Sequence, residues 1–458
     1  MSWLDSVISY NRNRQMGAIY YDQSYFMYLH KYFDDHLMVG NSPDPWIKDF
    51  GLQDKHVQLP LPKEIDLTHP SLAASEGLVD IVKAHPRRKF VLYSPLDPPY
   101  PVNPLVYIMN SPTIAHAYEH KRYFRDEFAD IINLPDHVVR RLDELDAASY
   151  NELSAMFGEK FVVQEVESSG SKGTFIVKNL SQFEKAVVSL KGMSYSGTVV
   201  ISKFIDGSTY SVQVCVTKYG IFTGGLQRQL VDSPYLCNPD LPEVTKWVGG
   251  ELGGVYPEIL KHRTQEIATV VGSELASHGY RGIFGIDLII TPENEVYAIE
   301  INARLTGYSG VLSDMQYAKE KIPFMLLHVL ELANLRYEVN DSESLPTMNS
   351  LDEKYSYLIL CNQLEGSQIL KTDVKNGIYK VTASGLEYVT NSFTVADLPD
   401  DDHIIIFCKF TKGDTINRGA RILKIVKKGG TMSEDTEDLD EAAQQLVATV
   451  KNHFKIES

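Results

Sequence analysis

The stretch Gly282-Ile283-Phe284-Gly285-Ile286-Asp287-Leu288-Ile289-Ile290, a turn Thr291-Pro292-Glu293-Asn294-Glu295, and then Val296-Tyr297-Ala298-Ile299-Glu300-Ile301-Asn302-Ala303-Arg304 decides how this chain is read. Two β-rich runs flank a polar turn, which predicts a hairpin. Side chains two apart in a strand point the same way, so Glu300, Asn302 and Arg304 share a face. Asp287, in the middle of the first run, comes beside Glu300 across the turn. Two carboxylates, an amide oxygen and a guanidinium on one sheet surface suit Mg²⁺ holding a polyphosphate. A purely structural sheet face has no need of that set.

The rest of the chain is compatible with such a site. At 458 residues it is long for one core, and two to four domains are expected. The net charge of −16 argues against nonspecific nucleic-acid or anionic-membrane binding. No apolar run approaches the ~20 residues of a spanning helix. The start, Met1-Ser2-Trp3-Leu4-Asp5-Ser6, lacks the basic-then-apolar layout of a signal peptide. Cys215, Cys237, Cys361 and Cys408 are widely spread without a CxxC pair, which disfavours a zinc site, a disulfide framework or a cysteine nucleophile. A cytoplasmic protein is expected.

Helices and strands alternate over the first ~115 residues, which predicts an α/β layer with parallel strands. Within it, Tyr20 to Tyr32 and Leu72 to Ala84 read as helices, His36-Leu37-Met38-Val39 and Lys89-Phe90-Val91-Leu92-Tyr93 as strands, and 95–104 as a Pro-rich loop. Ser111-Pro112 opens a helix through Phe128, with Ser111 as cap. Residues 161–178 read strand, Gly/Ser loop, strand. Leu180 to Leu190 is a helix, and 198–204 and 209–216 are strands. The Gly- and Pro-rich stretch 224–257 is expected to be a long loop or pair of loops. His262 to His278 is a helix stopped by Gly279. After the hairpin and a helix at 322–335, a boundary is placed at 338–350. Residues 351–430 form a small β-rich domain. The acidic run 434–441 is expected to be the solvated first turn of a C-terminal helix.

Two further segments carry chemistry. In Gln164-Glu165-Val166-Glu167-Ser168-Ser169-Gly170-Ser171-Lys172-Gly173-Thr174, backbone N–H groups can wrap phosphate oxygens where glycine allows close approach, and Lys172 adds charge. An ordinary Ser/Gly hairpin is the plain alternative. It is not a Walker A loop, which leads into a helix. In Ser202-Lys203-Phe204-Ile205-Asp206-Gly207, an extended edge can hydrogen-bond an adenine, though a simple hairpin explains it as well. No GxGxxG follows the early strands, which disfavours a dinucleotide-binding dehydrogenase.

A phosphate loop, then an extended "KFIDG" segment, then a "GIDL…EIN.R" hairpin resembles the ATP-grasp superfamily over roughly residues 110–335. The likeness is strongest to its biotin-carboxylase-like and peptide or amino-acid ligase branches. The resemblance implies an N-terminal α/β pre-ATP-grasp domain (1–115) and a two-subdomain α+β ATP-grasp core (116–340, lid about 125–200). The β-rich domain (351–430) and an acidic segment with its helix (431–458) follow. It implies Asp287, Glu300 and Asn302 as ligands of Mg²⁺, with Mn²⁺ as the alternative ion. It places Arg304 at the reacting acyl phosphate, against a plain salt bridge to Glu300. Ser169, Ser171, Lys172 and Gly173 would close over the phosphates of ATP, and Ser202, Lys203 and Ile205 would meet the adenine. Lys121 matches a phosphate-reaching lysine, against a plain exposed helical lysine. Many members carry lysine where this chain has Gln164, which leaves the α-phosphate contact without a charge there.

Arg228, in Gly224-Gly225-Leu226-Gln227-Arg228-Gln229, is a candidate carboxylate or acyl-phosphate contact, against a surface arginine. Residues 232–256, with Trp247, shape an acceptor pocket or an oligomer contact. The implied activity is an ADP-forming ligase that activates a carboxylate and joins it to an amine, on amino acids or short peptides. The alternatives are a carrier-thiol ligase, a carboxylase-like enzyme, and a nucleotide-binding regulatory protein. Small-molecule substrates are implied, and the β-rich domain caps the site or mediates a homodimer.

Overall fold

The computed structural model describes residues 3–19, 27–40, 45–58, 76–92, 107–108, 110–167, 173–193, 197–241, 246–338 and 351–457. Its N-terminal layer has five strands, β1 (Met16–Ile19), β2 (His36–Gly40), β3 (His56–Gln58), β4 (Lys89–Leu92) and β5 (Tyr107–Ile108). They are parallel, in the order β3-β2-β1-β4-β5. Helices α1 (Trp3–Asn11), α2 (Pro45–Asp49) and α3 (Glu76–Ala84) connect or flank them. This is the expected α/β layer. Within Tyr20 to Tyr32 only a short 3₁₀ turn, Met27–Lys31, is described. The loop at 95–104 lies outside the described residues.

The helix expected over 113–128 is two helices, α4 (Pro112–Glu119) and α5 (Lys121–Phe128). Pro112 sits in the first turn, but the Ser111 side chain makes no capping bond. The break falls at His120, whose backbone is extended and whose ring accepts the Tyr123 N–H. A His cap between two polar turns carries no strong breaker signal, so the break was invisible in the sequence. Its consequence is positional: Lys121 starts a helix, and its N–H donates to Val166 O at 3.0 Å.

Next comes a separate four-stranded antiparallel sheet, β6 (His137–Arg141), β7 (Phe161–Glu165), β8 (Thr174–Val177) and β9 (Thr198–Lys203), in the order β6-β9-β7-β8. Helices α6 (Ala147–Phe157) and α7 (Leu180–Met193) cover it. The unit has its own apolar core, including Leu153, Phe161, Val163, Phe183, Leu190 and Ile201.

The platform begins with β10 (Ser208–Thr217), β11 (Gly220–Val231), β12 (Trp247–Leu252), the long helix α8 (Glu258–Ser277), and the hairpin β13 (Gly282–Ile290) and β14 (Val296–Asn302). Of the stretch expected as loops, 224–257, residues 224–231 and 247–252 are strand, while 232–241 and 253–257 are turns and irregular chain as expected. The strand glycines in this stretch mark close backbone approach rather than turns. A Cβ on Gly249 would lie 1.9 Å from Tyr357 O, and one on Gly250 2.0 Å from Arg228 O. Both have φ in the region that only glycine adopts freely.

After α9 (Ser309–Ala318) and α10 (Phe324–Leu332) come β15 (Tyr355–Cys361), β16 (Gln368–Ile369), β17 (Gly377–Thr382), β18 (Gly385–Thr390), β19 (His403–Cys408), β20 (Thr415–Ile416), β21 (Arg421–Lys428) and α11 (Glu441–Phe454). This region is β-rich, as expected. Apart from the β16–β20 pair, its strands extend the platform through β12–β15 pairing, giving ten strands in the order β14-β13-β10-β11-β12-β15-β21-β19-β17-β18. All but Glu338 of the boundary placed at 338–350 lies outside the described residues.

Two apolar layers sandwich the first part of the platform. Val212, Leu226, Ile286 and Leu288 pack on one face with Ile267, Ala268, Val271 and Leu275 of α8 and with Phe124 and Phe128 of α5. On the other face, Cys215 and Ile283 join a core that reaches α9, α10, the N-terminal layer and the C-terminal strands. Asp287, alternating with Ile286 and Leu288, lies on this second face.

The acidic run is not a solvated helix turn. The helix α11 starts later, capped by Asp440, which accepts Ala443 N–H at 2.7 Å. The preceding residues strap onto the platform: Asp438 accepts from Ser233 Oγ at 2.6 Å, and Glu437 from Ser208 Oγ at 2.7 Å.

Candidate active site

The site grows from the β13–β14 register. Asp287 pairs with Glu300 and Gly285 with Asn302, so the three polar side chains share one face. Strict alternation along β14 would not do this. Val296 and Ala298 point into the apolar layer, and even spacing would send Glu300 and Asn302 after them. A bulge between the Asp287–Glu300 and Leu288–Ala298 pairs shifts the phase by one residue. Ile301 and Ala303 then take the apolar positions, and the two polar residues turn to Asp287. The expected face is present, and the bulge makes it.

Asp287 is held by two amides. Gln229 Nε2 donates to Oδ1 at 2.8 Å and Asn302 Nδ2 to Oδ2 at 3.0 Å. Burial and then the neighbouring Glu300 charge push its carboxyl up from the ordinary 3.8 to about 6, against hydrogen bonds from Ser211, Asn302 and Gln229. Two half-buried carboxylates crowded together are poised for a cation. Among the described residues no group of three His, Cys, Asp or Glu forms a protein-only cage. Two carboxylates and an amide fit Mg²⁺, which keeps water and phosphate oxygens as its other ligands.

Cations border this face. Lys121, only 2 % exposed, places Nζ 3.2 Å from Glu300 Oε2. It is not the exposed helical lysine of the plain reading. Arg304 pairs with Glu119 rather than Glu300, Nη1 to Oε1 at 2.5 Å. The plain reading of Arg304 therefore had the wrong carboxylate, because α4 brings Glu119 alongside and Lys121 already occupies Glu300. Arg304 stays near the metal face, half-buried.

Arg228 is placed elsewhere. Its register partner Tyr210 pairs in turn with Leu288, so Arg228 lies on the opposite face of the sheet from Asp287. Its guanidinium donates to Ser433 O at 2.8 Å and Thr436 O at 3.0 Å and contacts Glu437 at 3.3 Å. The residues of β11 that face Asp287 are Gln227 and Gln229. Neither amide was singled out in the sequence. Spacing of two from each other, with Ser211 across, is the signal that could have found them.

On the lid, Gln164 lies near the end of β7. Its Nε2 donates to Thr174 Oγ1 at 3.3 Å, and its Oε1 accepts from Arg125 Nη2 at 3.0 Å. Gly173 closes the far side of the phosphate-loop candidate with φ +66°, and its carbonyl accepts Glu165 N–H at 3.0 Å. Ser169, Ser171 and Lys172 lie outside the described residues. Ser202 (buried), Lys203 (exposed) and Ile205 (buried) sit where the chain leaves β9 for β10. There Lys203 N–H donates to Asp136 O at 2.8 Å and Lys160 stands 3.3 Å over the Phe204 ring. Trp247 stacks edge-on against Tyr308, centroids 5.0 Å apart. All four cysteines are free and buried, which pushes the Cys237 thiol up to about 12 and Cys361 to about 11. Such thiols are not nucleophiles near neutrality.

A parallel N-terminal layer, a small lid sheet and an antiparallel platform with an acidic, cation-bordered face define the ATP-grasp architecture. Residues 119–308, which hold the lid and the first part of the platform, match the family model described as the ATP-grasp domain. It is similar to the D-alanine–D-alanine ligase of Pelobacter propionicus, 29% identical over 189 residues that cover 40% of this chain and 55% of that one. The chain thus spans about half the length of the curated relative it matches. Among solved structures it is similar to the L-amino acid ligase of Bacillus licheniformis, with TM-score 0.58, 15% identity, and coverage of 95% of this chain and 97% of that one. It is also similar to the biotin carboxylase domain dimer of Hydrogenobacter thermophilus 2-oxoglutarate carboxylase, in complex with MgADP, ADP and bicarbonate. There the TM-score is 0.59, identity 12%, and coverage 91% and 86%. These structural likenesses show the fold. No described helix is long and apolar enough to cross a membrane.

Proposed function

We propose that this protein is an ADP-forming ligase that activates a carboxylate as an acyl phosphate and joins it to an amine, with amino acids or short peptides as substrates. The observation that carries the reading is the Asp287–Glu300–Asn302 face bordered by Lys121 and Arg304. Similarity to two ligases of amino acids supports the substrate class.

Phosphoryl transfer depends mainly on placement and on neutralising spreading charge. Asp287, Glu300 and Asn302 would hold Mg²⁺, whose charge would offset that of the phosphates. Gln229 and Asn302 hold the Asp287 carboxylate in one orientation, and Lys121 does the same for Glu300. Lys121 shifts part of its interaction to a phosphate when one arrives. Arg304, fixed by Glu119, lies on the run that leads out of the metal face and stabilises the developing acyl phosphate. The lid closes water out, which protects the intermediate from hydrolysis. Ser202, Lys203 and Ile205, at the crossing from lid to platform, are the adenine contact.

The test is ADP release with Mg²⁺–ATP and pooled amino acids, with and without hydroxylamine. Turnover that needs an amine acceptor, and a hydroxamate product when hydroxylamine is that acceptor, is expected. Nucleotide binding without ADP under every mixture would overturn the proposal in favour of a regulatory role.

A further inference from the structure

Three cations converge where α5 begins, and two of them have carboxylates. Lys121 takes Glu300 and Arg304 takes Glu119. The third, Arg125, lies one turn after Lys121 on the same helix face and is 1 % exposed. Among the described residues no carboxylate is within ion-pair distance of it. Its guanidinium donates only to neutral acceptors, Lys121 O at 3.3 Å and Gln164 Oε1 at 3.0 Å. Its Nε is buried without a hydrogen-bond partner among the described residues. Burial pulls its pKa down to about 10, against the opposing charge of Glu300.

A guanidinium taken fully out of water without a counter-ion is costly, and a packed apolar side chain in its place is commonly no worse. Retaining arginine there makes sense if the missing anion arrives with a ligand. The position indicates which anion. Arg125 stands between Glu300 on the platform and Gln164 on the lid, so it bridges the two halves across the face that holds the acidic pair. Gln164 itself is neutral. By taking its Oε1, Arg125 turns the amide nitrogen toward Thr174.

We infer that Arg125 supplies the lid-side positive charge for a nucleotide's phosphates, acting as a positioning residue: it orients Gln164 as the donor and adds its own field behind it. This rests on the nucleotide-site reading above and goes beyond it by naming the residue that stands in for a charge at position 164.

The test follows the charge. MgADP binding by calorimetry and the KM for ATP are measured on wild type, R125Q, R125K and R125Q/Q164K. Loss of one charge-assisted hydrogen bond corresponds to about a tenfold or greater loss of nucleotide affinity. That loss is expected in R125Q, with the KM for the carboxylate substrate unchanged. R125K keeps the charge and is expected within about threefold of wild type. R125Q/Q164K moves the cation across the same hydrogen bond and is expected to recover most of the loss. A purely structural arginine predicts no rescue by Q164K, because a lysine on β7 cannot restore the bond to Lys121 O. Wild-type affinity in R125Q, or a double variant no tighter than R125Q, overturns the inference. Should R125Q fail to fold, R125K decides: a loss of more than about tenfold overturns the inference and a near-wild-type value supports it. If wild type binds no MgADP, the nucleotide-site reading itself fails.

Discussion

The hairpin face on the platform and the lid that covers it are built on opposite principles. On the platform, each acidic residue is pinned: Asp287 by two amides, Glu300 by Lys121, and the strand beneath them by layers on both sides. The lid has a core of its own, and among the described residues it meets the start of α5 through Val166 O with Lys121 N–H, Gln164 with Arg125, and Glu167 facing His120 at 3.9 Å. A rigid half that holds charges in place and a self-contained half that meets it through a few hydrogen bonds is what a site needs if phosphates must enter and water must then be shut out.

The largest expected effect tests the rigid half. Glu300→Ala should reduce ADP release at least about 100-fold, since it removes a metal ligand and the carboxylate that faces Lys121. Normal ADP formation by that variant would sink the metal assignment. The independence of the lid comes next. Phe161→Ala should destabilise the lid by about 3–5 kcal/mol. Hydrogen exchange should then speed up over 137–203 while β10, β13 and β21 keep their protection. Equal loss in both sheets would mean that they share one cooperative core.

The third prediction concerns pH. Folding raises the Asp287 pKa from 3.8 to about 6, so the metal-free folded state holds that proton more tightly than the unfolded chain. The associated stability is present below the ordinary value and is lost as pH rises toward about 6. Metal binding runs the other way, because the ligand must be deprotonated. Mg²⁺ or Mn²⁺ affinity should fall about tenfold per unit below the raised pKa. An Asp287→Asn variant that kept this dependence would assign the titration to another group. The smallest effect is expected off the face: Arg228→Ala should change turnover by less than about threefold while loosening the 433–437 strap by about 1–3 kcal/mol. A large fall in kcat with the strap intact would return Arg228 to the chemistry.

Much of this architecture was legible because it rests on local periodicity. The β13–β14 hairpin, the strand–loop–strand at 161–178, the helix at 258–277 and the early parallel layer all follow from short-range patterns. Failures came where neighbours distant in sequence decide. Gly249 and Gly250 read as loop because their strand role depends on the Tyr357 and Arg228 backbones pressing against them, and Gly224 because its partner is the Gln213 carbonyl on the neighbouring strand. The acidic run read as a helix's first turn because its partners, Ser208, Arg228 and Ser233, lie some two hundred residues earlier; residues 434–437 are exposed, as expected. Arg125 was overlooked although it follows Lys121 by four residues, since nothing local shows that the helix is buried there.

By itself the sequence determined which residue types meet in the hairpin, because strand alternation and a tight turn act over a few bonds. Tertiary structure decided their partners and their direction. A one-residue bulge swings Glu300 and Asn302 out of the apolar layer, α4 hands Arg304 to Glu119, and sheet register sends Arg228 to the far face. Each of these depends on which elements pack side by side, and that is set by burial of apolar layers across the whole molecule rather than by any local stretch of chain.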